Sequence, residues 1–158
     1  MRGTLSSQVL SKQALQAWAS LLYGHAALVG ALNAQLVAEH GLTINDYEVL
    51  LRLARAPERR MRRVDLAESV LLTASGITRL LDGLERDGLV ERAQCASDRR
   101  VTYAVLTEAG DAKLREAADT HLSGVQELFA ARYSNDELER LAELLGRIEA
   151  SDVDECTP

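Results

Sequence analysis

The residues best suited to polar recognition fall in two short stretches. Thr73, Ser75, Thr78 and Arg79 lie on the polar side of a segment whose other side is apolar, and Asp98-Arg99-Arg100 closes a polar loop between two β-prone runs. Hydroxyls near a helix start suit phosphates or base edges, while a guanidinium either holds a phosphate or takes a guanine bidentately. For Arg79 both options stand, beside an intraprotein ion pair with Asp82 or Asp65. Catalysis has no comparable signature: the chain lacks a Gly-rich phosphate loop, a His-carboxylate metal pattern and a nucleophile elbow. His25, His40 and His121 fall in different elements, and Cys95 and Cys156 suit neither a disulfide framework nor a tetrahedral site. The expectation is a protein with no enzymatic activity, no cofactor, no metal and two free thiols.

Two helices and a hairpin must position those side chains. Asp65 followed by Glu68 is a capping pattern that starts a short helix reaching about Leu71. Thr73 begins a second helix, in which Ile77, Leu80, Leu81 and Leu84 form one apolar stripe. Ser75, Thr78, Arg79, Asp82 and Arg86 lie opposite, and Gly88 ends the helix. Residues 89–93 and 101–106 are β-prone with partial alternation and should pair around the loop 94–100. This is a helix-turn-helix with a recognition helix, followed by a basic wing.

The chain resembles the MarR family of winged-helix transcription regulators. The resemblance is carried by Asp65-Leu66-Ala67, Thr78-Arg79-Leu80-Leu81, Leu84-Glu85-Arg86-Asp87-Gly88-Leu89-Val90, Asp98-Arg99-Arg100 and Leu106-Thr107-Glu108-Ala109-Gly110. It implies that Arg100 enters a minor groove and that Asp98 pairs with an arginine to shape the loop. It also implies a triangular homodimer on double-stranded DNA, usually a repressor of a pseudo-palindromic operator. A small aromatic or anionic effector would sit between the first, second and fifth helices and the winged part. Trp18, His25 and Tyr47 are the candidate effector residues, although interior or interface packing suits all three. Family members that answer to urate carry a tryptophan on the first helix, but their accompanying arginine and aspartate are not matched here. Two alternatives stay open, a thiol switch at Cys95 and a winged helix that binds another protein. The family's peroxide sensors place their cysteine near the start of the first helix, where this chain has none.

The flanking segments complete a mainly α fold with a small β-hairpin wing. Residues 43–107 form the winged helix-turn-helix, residues 7–40 and 107–151 supply dimerisation helices, and residues 152–158 form a disordered acidic tail. The first helix carries Leu10, Ala14, Ala17, Leu21, Leu28, Leu32 and Leu36, with Gly24 and Gly30 permitting close approach of another helix. Thr43 with Asp46 and Ser134 with Glu137 are capping boxes, Pro57 closes the second helix, and residues 61–64 form a short strand. Tyr47, Leu50, Leu51 and Ala54 face inward from the second helix; the penultimate one has Leu114, Ala117, Ala118, His121, Leu122, Val125, Leu128 and Phe129 as its apolar set.

Over 158 residues the net charge is −6, yet residues 55–100 carry +2 and the remainder −8, so positive charge gathers where DNA is expected. Arg55, Arg59 and Arg60 also read as ordinary solvated arginines. No apolar run approaches the length of a membrane span, and the first residues do not read as a secretory signal, so the expected location is cytoplasmic.

Overall fold

Local capping sets most of the helix ends. The computed structural model describes residues 10–70, 74–95, 98 and 100–149. Ser11 accepts from the Ala14 N–H at 3.1 Å to start α1 (Lys12–His40), and Gly41 stops it in the left-handed region at φ 68°. Thr43 and Asp46 form the expected reciprocal capping box of α2 (Ile44–Arg55), and Ala56-Pro57 ends it. Thr107 caps α5 (Glu108–Leu128) through the Gly110 N–H at 3.0 Å. Ser134 and Glu137 exchange bonds of 2.8 and 3.3 Å at the start of α6 (Asn135–Glu149).

Between α2 and α5 lie β1 (Arg60–Arg62), α3 (Arg63–Ser69), α4 (Ala74–Arg86), β2 (Val90–Gln94) and β3 (Thr102–Leu106). The strands form an antiparallel sheet in the order β1-β3-β2, with Arg62 opposite Tyr103 and Val90 opposite Leu106. Leu36, Val49, Leu50, Leu53, Leu66 and Ile77 are the largest fully buried side chains. Ala104, Leu106 and Val90 bring the sheet's inner face onto them, and Leu114 and Ala117 bring α5. Burying one such aliphatic side chain stabilises the fold by about 1.5–3 kcal/mol.

Several expectations change. The strand before the helix-turn-helix joins the sheet as expected, but it covers residues 60–62, and Arg63 and Val64 already belong to α3. Asp65 is therefore not an N-cap; Arg62 holds that position without a side-chain cap, and its guanidinium engages the Asp65 carboxylate. On α2 the inward face is wider than expected, since Val49 and Leu53 are fully buried while Leu51 and Ala54 are only half-buried. On α5, Leu122 is 62% exposed.

Within the single chain the close approaches fall at other glycines. A Cβ on Gly24 or Gly30 would meet nothing within 4 Å, whereas one on Gly110 would lie 2.0 Å from the Leu89 carbonyl oxygen. A Cβ on Gly124 would lie 2.3 Å from Gln35 Oε1.

The two ends of the chain leave apolar surface uncovered. Of the 29 residues of α1 only Leu32 and Leu36 are buried. Leu15, Trp18, Leu21, Leu22 and Tyr23 are exposed, as are Leu144, Leu145 and Ile148 on α6. By length and composition alone α1 is apolar enough to cross a membrane. Patches of this extent mark surfaces that meet another molecule. Residues 152–158, and with them Cys156, lie outside the described residues.

Candidate nucleic-acid interface

The α4 helix is held by one face so that the other is presented. Ile77, Leu81 and Leu84 are buried and Leu80 is packed against the core, as the stripe requires. Ser75, Arg79, Asp82 and Arg86 point to solvent and Thr78 is half-buried. Ser75 and Thr78 also make interactions within the chain. Thr73 lies outside the described residues.

Charge is sorted along that face by an arginine from the sheet. Arg92 of β2 pairs with Asp82 and, at 2.7 Å, with Glu85. Asp65 is taken by Arg62, in a bidentate pair of 2.8 Å each. The carboxylates that could have neutralised Arg79 are thus engaged elsewhere, and Arg79 is exposed with no ion pair among the described residues. Arg92 carries no local sequence signal of its own, because its partners lie on the preceding element.

The wing is shaped by Asp98, though differently from the expectation. Its Oδ1 accepts from the Arg100 backbone N–H at 2.9 Å, with no guanidinium partner among the described residues, and its carbonyl accepts from the Val101 N–H at 3.0 Å. A carboxylate that folds back on the main chain makes an Asx-type turn, which leaves the Arg100 side chain exposed. Arg99 lies outside the described residues. Arg62 and Arg63 line a cleft of about 310 Å³ together with Arg100, so the basic surface continues from the wing onto the start of α3. The Arg62-Arg63 run could have signalled this had it not been assigned to a strand. Cys95 is half-buried at the wing base, outside any disulfide among the described residues, with its N–H bonded to the Val101 carbonyl at 3.1 Å.

With the recognition helix and wing in place, the comparison with known proteins is direct. The MarR family profile matches residues 42–102, from the start of α2 to the return strand of the wing. AbsC, a MarR family transcriptional regulator from Streptomyces coelicolor, is 32% identical with a TM-score of 0.83, covering 92% of this chain and 97% of its own. The chain belongs to the MarR family. It is a DNA-binding transcriptional regulator, with no enzymatic role. Sco3205 from the same organism, solved in complex with DNA, is 30% identical with a TM-score of 0.85 over 93% of this chain and 91% of its own. The transcriptional repressor YetL of Bacillus subtilis is 33% identical over 69% of this chain, which spans 65% of YetL.

Of the expected effector residues of this MarR protein, Trp18 and His25 share one groove and Tyr47 stands apart from it. Trp18 is 59% exposed and lines, with His25, Leu21, Leu28 and Tyr133, an apolar groove of about 670 Å³ between α1 and the C-terminal segment. Tyr47 lies in the core, 5% exposed, with its ring centroid 4.6 Å from that of His121. Burial raises the Tyr47 pKa; it lowers that of His121, which Glu48 partly opposes.

His121 therefore carries a pH signature. Its folded pKa lies below the ordinary 6.5, so the unfolded chain takes up the proton first as pH falls. Its contribution is complete above about pH 6.5 and is lost as pH falls toward the folded value. Thermal unfolding between about pH 7.5 and about pH 5.5 should show a fall in Tm that is smaller in His121→Phe, which keeps a ring on Tyr47. Equal falls in both proteins would refute the assignment.

Proposed function

We infer that this regulator is a homodimeric repressor of a pseudo-palindromic operator, acting in the cytoplasm and released by a small aromatic or anionic effector. The observation that carries the DNA reading is the exposed Arg79 on the polar face of α4, without an ion pair among the described residues, together with the exposed Arg100 of the wing. In this reading α4 enters the major groove with Ser75, Thr78 and Arg79, and Arg100 reaches the adjacent minor groove. The uncovered apolar faces of α1 and α6 support the dimer, which would place two recognition helices about one DNA turn apart, ~34 Å. The name of YetL supports repression.

Effector control is supported by the junction of α1, α2 and α5. Gln35 Oε1 and His121 Nδ1 are buried there with no hydrogen-bond partner among the described residues. Such atoms are costly unless a ligand or water meets them. A ligand there would favour a spacing of the two recognition helices that fits DNA poorly.

Binding of the purified protein to duplex from its own upstream region, at several salt concentrations, tests the reading. Arg79→Ala and Arg100→Ala should each lower affinity by about 1–3 kcal/mol with helix content retained. If Arg79 reads a base, its variant will lose discrimination between operator and random duplex. If it holds a phosphate, the loss will be uniform and the salt slope will fall by about one. Unchanged operator binding in the double variant would instead favour a winged helix that docks a protein.

A further inference from the structure

Between the end of α2, strand β1 and helix α3 lies an open cleft of about 510 Å³ that the DNA reading leaves unused. Four guanidinium groups line it, Arg52 and Arg55 from the last turn of α2 and Arg60 and Arg62 from alternate positions of β1. Three of them have carboxylate partners. Arg52 meets Glu48 at 2.8 Å, Arg60 meets Glu58, and Arg62 holds Asp65. Arg55 is exposed and has no ion pair among the described residues, so the cluster keeps an uncompensated positive charge.

The cleft is also partly preorganised. The Arg60 guanidinium carbon lies 5.1 Å from the centroid of the Tyr103 ring, which fixes where that group sits. The loop leading into it holds two successive non-glycine residues in the left-handed region, Glu58 at φ 53° and Arg59 at φ 52°. Backbone of that kind is costly and recurs at ligand clamps. The carboxylate partners are weak competitors, since exposed ion pairs contribute little, whereas a phosphate can accept from several guanidinium forks at once.

We propose that this cleft is an oxyanion site that takes a phosphate group, with Arg55 as its free anchor and Arg60 and Arg62 as flanking donors. The phosphate comes either from a free phosphorylated small molecule or from a DNA backbone that runs past the wing. Occupancy is felt by the helix-turn-helix, because Arg62 is shared. A phosphate on Arg55 and Arg62 draws Arg62 away from Asp65 in the first turn of α3 and loosens the β1–α3 junction. That coupling rests on the DNA-binding reading, but binding to the cleft does not.

The test is calorimetry of the full-length protein with inorganic pyrophosphate at constant ionic strength and without DNA, joined to the salt dependence of operator binding. Saturable binding of one pyrophosphate per chain is expected, weakened about tenfold in Arg55→Ala and recovered in part in Arg55→Lys. Arg55→Ala with an unchanged operator salt slope assigns the site to a free ligand; a slope lower by about one assigns it to a DNA phosphate. Absence of saturable heat together with an unchanged slope overturns the proposal. Failure of all operator binding would leave the calorimetric result standing, so the two readings fail separately.

Discussion

Replacing Leu145 and Ile148 together by lysine will split the regulator into monomers and lower its affinity for a duplex with two half-sites by about 10²-fold or more. The expectation follows from where the apolar surface lies. Leu145 is 38% and Ile148 58% exposed within the chain, so neither holds the fold of its own subunit. Leu145 joins Trp18, Leu21, Leu28 and Tyr133 around the groove between α1 and α6, a surface left open by the described residues. A partner that covers it buries the apolar area of both copies at once, and a standard interface removes about 1,600 Å² from water. A lysine at Leu145 would need an ionic partner that this groove does not offer, and one at Ile148 would put a charge on the exposed apolar face of the same helix. Sedimentation should show the monomer and circular dichroism an unchanged helix content. A dimer that persists with full operator affinity would mean that another surface joins the subunits.

Local chemistry explains which parts of this architecture can be read without a structure. The Ile77, Leu81 and Leu84 stripe follows from helical periodicity alone, and the boxes at Thr43 and Ser134 depend on residues three positions apart. The readings that changed depend on partners from another element or across an element boundary. Asp65 looks like a cap until β1 delivers Arg62 directly to it. Asp98 looks like an arginine partner, yet the shorter route is to its own main chain two residues on. Tyr47 has the chemistry of a ligand contact, but α5 places His121 against its ring and closes it into the core. In α4 the acids Asp82 and Glu85 seem to weaken a DNA-facing helix. Arg92, invisible as a functional residue in the chain order, turns them into anchors to the sheet and so leaves Arg79 open.

The other large effect is expected at Gly110, which lies where the winged part meets α5. Thr107 binds this junction from both sides. Its hydroxyl donates to the Gly88 carbonyl at 2.7 Å and accepts from the Gly110 N–H at 3.0 Å, while its own N–H donates to the Leu89 carbonyl at 3.2 Å. Gly88 supports the turn from the α4 side with φ 72°, a conformation that glycine adopts freely. A Cβ on Gly110 would stand 2.0 Å from that same Leu89 oxygen, 3.0 Å from its carbon and 2.7 Å from Leu106 Cδ1. Relief requires moving backbone that is already bonded to Thr107, so the side chain cannot simply rotate away. Gly110→Ala should therefore cost about 3 kcal/mol or more, the upper range for overpacking, and lower Tm by roughly 10 °C. Gly124→Ala should cost less, since the nearest atom, Gln35 Oε1 at 2.3 Å, ends a flexible side chain. On α4, Gly83→Ala meets only the Arg86 guanidinium at 3.7 Å and should stabilise by up to about 1 kcal/mol through helix propensity. Thermal unfolding of the three variants checks the ranking. Equal effects at Gly110 and Gly83 would show that the α5 start is not pressed against the β2 turn. The predicted ranking would establish that contact as the tight joint between the β2 turn and the start of α5.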